Sequence, residues 1–195
     1  MWNERYSAEA YAFGTQPNDF LASMLDRLPK GKALCLAEGE GRNAVWLAEH
    51  GWDVTAVDVA EVGLAKAQQL AAERDVSINT IHADLADFEI GAKQWDLIVS
   101  VFCHLPLALR QRVHAACVSG LNSGGAVLLE AYTPLQLEYK TGGPPVVDLM
   151  MTAEALEQEF DGLRFEHLNE CVRDVTEGQY HTGDGAVVQM FATKP

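Results

Sequence analysis

The sequence predicts an α/β fold: a Rossmann-like three-layer sandwich with a seven-stranded, mostly parallel sheet and a C-terminal antiparallel hairpin. Three observations carry that expectation. Apolar runs alternate with stretches of helical periodicity, as parallel strands joined by crossover helices require. A glycine-containing turn, AEGEG, directly follows the first apolar run and opens a helical stretch. The last two strand-like runs are separated only by the polar EGQYHTGD, short enough for an antiparallel hairpin.

The elements follow in order. ALCLA (33–37) is the first strand, and residues 42–50 form the helix after the turn, stopped by Gly51. DVTAVDV (53–59) is the second strand. Residues 61–74 form a helix, with Leu64, Ala67, Gln68 and Ala71 at helical spacing. The third and fourth strands are 77–84 and 95–102, followed by a helix over 107–118 and a fifth strand over 124–132. Thr152 is a suitable N-cap for a helix over 152–160. LRFEHLNECVRDV and GAVVQMFATK complete the sheet. Residues 1–30 are expected to form an N-terminal arm or lid on a single 1–195 domain, with Asn18 capping a helix that runs to Leu28. The TGGPP segment (141–145) is expected to be a loop above the sheet.

Composition narrows the function. The chain of 195 residues has a formal net charge of -14 and no cluster of Lys and Arg, which argues against a nucleic-acid partner. No run of about 18 apolar residues is present, and the N-terminus carries charges where a signal peptide is apolar, so a cytoplasmic protein with no membrane association is expected. Cys35, Cys103, Cys117 and Cys171 are widely spaced, which suggests neither a metal site nor a disulfide framework. A monomer or homodimer fits equally well.

The turn itself suggests a ligand. In an open parallel sheet the first strand's turn lies where ligands bind, and Gly39 and Gly41 allow close backbone approach. Asp58 ends the second strand, where a carboxylate can grip vicinal ribose hydroxyls. Asp84, after the third strand, is placed to accept from an adenine amino group, beside the backbone of Leu85. Glu38 and Glu40 oppose a diphosphate and suit a cationic ligand, and GxGxxG is absent because Ala44 follows. S-adenosylmethionine is therefore favoured over a dinucleotide of the NAD type. A nucleotide-binding oxidoreductase and a non-catalytic adenosyl-ligand domain remain the alternatives.

Taken together these stretches resemble the class I, seven-stranded S-adenosylmethionine-dependent methyltransferases over nearly the whole chain. WNERY, YAFGTQPNDFL, LAEGEGRNAVWLAEHGWDVTAVDVA, CHLP and EGQYHTGDGAVVQ are similar to the bacterial tellurite-resistance branch, related to thiopurine methyltransferases. The sequence departs from DxGxGxG at Cys35 and at Ala37, where no positive φ is expected, and Glu38 is expected to take over part of the missing acid's duty. The resemblance implies S-adenosyl-L-methionine as cofactor and a small-molecule acceptor, such as a thiol, selenium or tellurium compound. The expected cofactor contacts are Arg5, Ala37, Glu38, Gly39, Gly41, Asn43, Asp58, Val59, Asp84, Leu85, Val101 and Phe102.

Methyl transfer needs alignment and exclusion of water, and a base only when the acceptor must lose a proton. His104, directly after the fourth strand, and Tyr132, ending the fifth, are the candidate catalytic residues. Tyr6, Phe13, His104, Tyr132, Arg173 and His181 are the expected substrate contacts. Arg173 is expected to hold an anionic acceptor, and Arg5 to pair with the cofactor's carboxylate as the arm closes. His50, His82, His114 and His167 show no clustering that suggests metal.

Overall fold

The computed structural model describes residues 2–195. Its elements are α1 (Trp2–Arg5), α2 (Asp19–Ser23), β1 (Lys32–Leu36), α3 (Arg42–Glu49), β2 (Asp53–Asp58), α4 (Glu61–Glu73) and β3 (Asn79–His82), then β4 (Trp95–Val101), α5 (Leu107–Gly120), β5 (Leu121–Tyr132), α6 (Gln136–Tyr139), α7 (Ala153–Glu159), β6 (Arg164–Thr176) and β7 (Thr182–Thr193). The seven strands lie in the order β3-β2-β1-β4-β5-β7-β6. β7 runs antiparallel to both β5 and β6, and the other pairs are parallel. This is the α/β sheet with a reversed terminal hairpin that the sequence predicts.

Strand alternation divides the core between the two faces of the sheet. Ala33 and Cys35 of β1 pack with Leu47 of α3, Ala67 and Leu70 of α4, and Phe20 and Leu21 of the arm. Leu34 and Leu36 point the other way, toward Val113 and Cys117 of α5 and Leu156 and Phe160 near α7. β4 repeats the pattern, with Leu97 and Val99 on one face and Ile98 on the other. Each fully buried Leu, Ile or Phe stabilises by about 1.5–3 kcal/mol, so the central strands anchor the turns at their ends. Among the described residues no helix is long and apolar enough to cross a membrane.

Several boundaries differ from the expectations. Asn18 caps α2 through its side chain, which accepts from Leu21 N–H at 3.1 Å, but the helix stops at Ser23 and a 3-10 turn (Leu25–Arg27) follows. Leu28 precedes Pro29 and is extended, which ends the helical path. β3 is a short edge strand of four residues rather than eight. β5 begins three residues early, at Leu121, because α5 ends at Gly120 and leads straight into it.

Candidate active site at the carboxyl ends of the strands

β1 lies between β2 and β4, so the chain reverses its lateral direction there and leaves a crevice beyond the strand ends. The turn after β1 sits in that crevice. Ala37 takes φ +49, contrary to the expectation that an alanine would avoid the left-handed region here. The turn needs that reversal wherever a Cβ is present or not, and the strain is local. Gly41, at φ +87, starts α3, and a Cβ there would come within 2.5 Å of the Ala67 Cβ on α4. Glycine is thus required for α3 and α4 to pack.

Asp58 is held between two backbone donors: Gly39 N–H donates to Oδ2 at 2.8 Å and Ala60 N–H to Oδ1 at 2.7 Å. Burial pushes its carboxyl above the usual range, against these hydrogen bonds. Val59 beside it is 47% exposed, while Leu85 is buried. Asp84 is exposed and accepts Ala86 N–H at 2.8 Å through one oxygen, Oδ1. Val101, half-buried, packs on the core at the end of β4.

The two turn glutamates both face protein donors. Glu38 Oε1 accepts from Asn43 N–H at 2.9 Å and Ala44 N–H at 2.7 Å, capping the first turn of α3. Burial nevertheless pushes Glu38 up to about 7. Glu40 Oε2 accepts Ala12 N–H at 2.7 Å, and its Oε1 pairs with Lys66 Nζ at 2.5 Å. Lys66 also donates to the carbonyls of Ala8 and Ala10, so Glu40 fastens the arm to α4. Asn43 Oδ1 accepts Asn18 N–H at 2.9 Å and serves the arm as well.

The arm roofs the crevice. Tyr6 is buried with Ala12 and Ala60, and a Cβ on Gly39 would lie 2.6 Å from its hydroxyl, so the phenol covers the turn beside Asp58. Tyr6, expected as an acceptor contact, thus lies over the turn that carries Gly39. Arg5 stacks on Trp2 (4.9 Å) and on Tyr180 (4.6 Å), joining the arm to the β6–β7 turn. Gln179 N–H donates to the Ala12 carbonyl at 2.9 Å, completing that seam.

Beside it the strand ends gather an aromatic box. Phe102, at φ +52, sets its ring 4.7 Å from Tyr132 and 4.7 Å from His181, measured between centroids. His104 stacks on Tyr132 at 5.8 Å, and Phe13 of the arm lies 4.8 Å from His181. His104, Tyr132, Phe13 and His181, distant in sequence, thus meet at one place. His104 Nδ1 lies 2.9 Å from the Leu149 carbonyl, an acceptor, so Nδ1 carries the hydrogen. Its Nε2 and the Tyr132 hydroxyl are buried without hydrogen-bond partners, and His181 Nδ1 lies 3.7 Å from Glu177 Oε2, beyond hydrogen-bond reach but against a carboxylate. Gly142 and Gly143 of the 141–145 loop close against Tyr132.

Arg173 is committed elsewhere. Its guanidinium binds Glu130 through Nε at 3.0 Å and through Nη2, and reaches Glu177 at 2.9 Å. This corrects the expectation of an anion-binding arginine: two carboxylates already neutralise it. Arg42 donates to Glu177 at 2.6 Å, Gln189 to Glu130 at 2.6 Å, and Asn18 Nδ2 to Glu130 and Glu177 at 2.8 and 3.1 Å. Sequence reasoning missed Asn18, Arg42, Glu130, Gln136 and Glu177. Glu130 had a signal, as a lone carboxylate in the apolar run AVLLEAY. Gln136 holds the 141–142 loop and accepts Ala186 N–H at 2.8 Å.

Two surface cavities, of about 700 and 470 Å³, lie away from this crevice: one at the opposite ends of the strands by Gly31, Asp53 and Asp96, the other between α5 and α7. The acceptor groups of the crevice suit an adenosyl ligand: Asp58 for ribose hydroxyls, Asp84 for an amino group, with exposed Val59 for a flat apolar face.

Residues 33–125 match a family described as Methyltransferase domain. No curated protein matches the chain. Among solved structures, TehB from Haemophilus influenzae is similar with a TM-score of 0.75 and 20% identity, over 100% of this chain and 66% of its own. A structure from work on the conversion of a disulfide bond into a thioacetal group during echinomycin biosynthesis gives 0.77 and 17%, over 98% of this chain and 87% of that one. The N-methyltransferase NodS from Bradyrhizobium japonicum WM9 gives 0.67 and 17%, over 90% and 93%. These likenesses establish the shared fold.

Proposed function

We propose that the protein is a methyltransferase that uses S-adenosyl-L-methionine and acts on a small-molecule acceptor. The observation that carries this reading is the juxtaposition, at one end of the sheet, of the Asp58–Gly39 turn with a box holding two buried, unpartnered polar atoms, His104 Nε2 and the Tyr132 hydroxyl. Buried polar groups without partners are rare in folded proteins, and a ligand group is a natural complement. Bound S-adenosylmethionine supplies an electrophilic methyl group.

The chain's own residues do the rest. Asp58 keeps lone pairs for two ribose hydroxyls, exposed Val59 offers apolar surface beside the Leu85 backbone, and Asp84 accepts from the adenine edge. The arm and the 141–145 loop keep water out. His104 and Tyr132 face the acceptor. Thiol, selenium and tellurium compounds are the acceptors to screen first.

The test is calorimetric titration with S-adenosylmethionine, S-adenosylhomocysteine and NAD, with Asp58→Ala as control. Binding of both sulfur ligands at about micromolar Kd, weakened at least about tenfold in the variant, is expected. Binding of NAD alone would refute the reading.

A further inference from the structure

We infer that the acceptor is an uncharged molecule whose nucleophilic atom still carries a hydrogen, as S–H, N–H or O–H, and that the box rejects oxyanions. The inference rests on the methyltransferase reading above and narrows its substrate class. Two independent features of the site support it: the polarity of its unpartnered atoms and the disposition of its charges.

The atoms come first. Because the Leu149 carbonyl takes the Nδ1 hydrogen of His104, Nε2 presents a lone pair and can only accept. Burial holds this ring at about 4, so it stays neutral at pH 7. His181 is likewise pushed below its ordinary range by burial. Neither imidazole therefore supplies a cation. The Tyr132 hydroxyl donates or accepts. The complement of a fixed acceptor beside a hydroxyl is a group with one hydrogen and one lone pair, which describes X–H and not a deprotonated oxyanion.

Charge points the same way. Arg42 and Arg173 beside the box are balanced by Glu130 and Glu177 in a network with little exposure, and Arg110, whose charge also acts on His104, is paired with Glu159. On the other side lie the carboxylates of Glu38 and Asp58. Lys66 is paired with Glu40. Arg5 is stacked between Trp2 and Tyr180, which are 38% and 43% exposed, at the outer surface of the roof. An oxyanion entering the box would shed its water and find the Arg42 and Arg173 guanidinium groups already paired with carboxylates. An uncharged ring or chain instead gains contact with Phe102, Tyr132 and Phe13.

The proton balance is consistent. As X forms its bond to the methyl carbon, the departing sulfur keeps the electron pair of the broken C–S bond. The hydrogen on X leaves as a proton to His104 Nε2 and, since that ring is a weak base, passes on to solvent.

The experiment titrates the protein, saturated with S-adenosylhomocysteine, with phenylmethanethiol, phenylmethanesulfonate and selenite. The first two share a ring and differ in charge. The thiol should bind at least about tenfold more tightly than either anion and move the His104 Nε2 nitrogen resonance. His104→Phe should weaken thiol binding at least about fivefold while leaving S-adenosylhomocysteine affinity unchanged. Selenite or the sulfonate binding as tightly as the thiol, or the thiol failing to bind, overturns the inference and leaves the cofactor reading standing. Failure of S-adenosylhomocysteine to bind would instead remove the cofactor reading itself.

Discussion

Replacing Glu38 with Gln should stabilise the protein above neutral pH and leave it unchanged in acid. Two effects compete at this carboxylate. It sits at the N-terminus of α3 and accepts two backbone N–H groups, both of which favour its charge. Burial opposes the charge and wins, raising the group from its ordinary 4.5 to about 7. A folded-state value above the unfolded one means that the folded protein holds a proton the unfolded chain releases. The stability linked to that proton is complete below about pH 4.5 and lost as pH rises to about 7. At about 1.4 kcal/mol for each pH step the loss is at most about 3 kcal/mol, and partial exposure of the side chain brings it nearer about 2. Gln keeps an oxygen for the Asn43 and Ala44 donors and carries no charge. Thermal unfolding of both proteins at pH 5 and pH 8.5 is the assay. Equal Tm at pH 5, and a Tm higher by about 4–8 °C for the variant at pH 8.5, are expected. A variant less stable at pH 8.5 would show that the helix terminus outweighs burial and refute the reasoning.

Ala37→Gly should raise Tm by about 2–3 °C, because relief of the left-handed alanine, about 1–2 kcal/mol, exceeds the added freedom of an unfolded glycine, about 0.4–1 kcal/mol; a lower Tm would mean the alanine is not strained. Glu177→Gln strips Arg42 of its counter-charge in a nearly dry setting, with a cost of about 3–5 kcal/mol and a Tm drop of about 10 °C in differential scanning calorimetry. A drop of under about 3 °C would show that solvent already screens that pair. Tyr132→Phe removes a buried hydroxyl that bonds nothing, so Tm should hold or rise by a few degrees while acceptor binding weakens. Clear destabilisation by this change would reveal a structural partner for the hydroxyl.

The sheet was legible because strand alternation and crossover helices leave a periodic record along the chain. So was the crevice, since topology alone places residues such as Asp58 and His104 at the strand ends. The direction of side chains was not. Glu38 and Glu40 share a turn with Gly39, and nothing in the spacing tells that one folds back on α3 while the other reaches Ala12 and Lys66. Arg173 read as a lone cation in an acidic chain because Glu130 comes from another strand, and Glu177, only four residues on, folds back onto it in the hairpin turn. Such pairings are set by tertiary approach and leave little local trace. Ala37 misled for a different reason: a backbone conformation imposed by the turn overrode what the residue type prefers.

The buried network of Arg42, Glu130, Arg173 and Glu177 raises the question why charge is used where apolar groups would serve. Burying ion pairs is an inefficient route to stability, because desolvation offsets most of the attraction, and well-packed hydrophobic side chains do as well or better. What such a network provides is directionality, since each carboxylate oxygen accepts only from a donor in the right place. Here the members come from five places that must meet for the crevice to be roofed: Asn18 from the arm, Arg42 from α3, Glu130 from β5, Arg173 from β6 and Glu177 from the hairpin turn. Hydrophobic contact alone would let the arm and hairpin slide over one another. The same pairing also removes two positive charges from the neighbourhood of the aromatic box. The arrangement that fixes the roof is thus also the one that leaves the box uncharged, which ties the choice of acceptor to the way the site is closed.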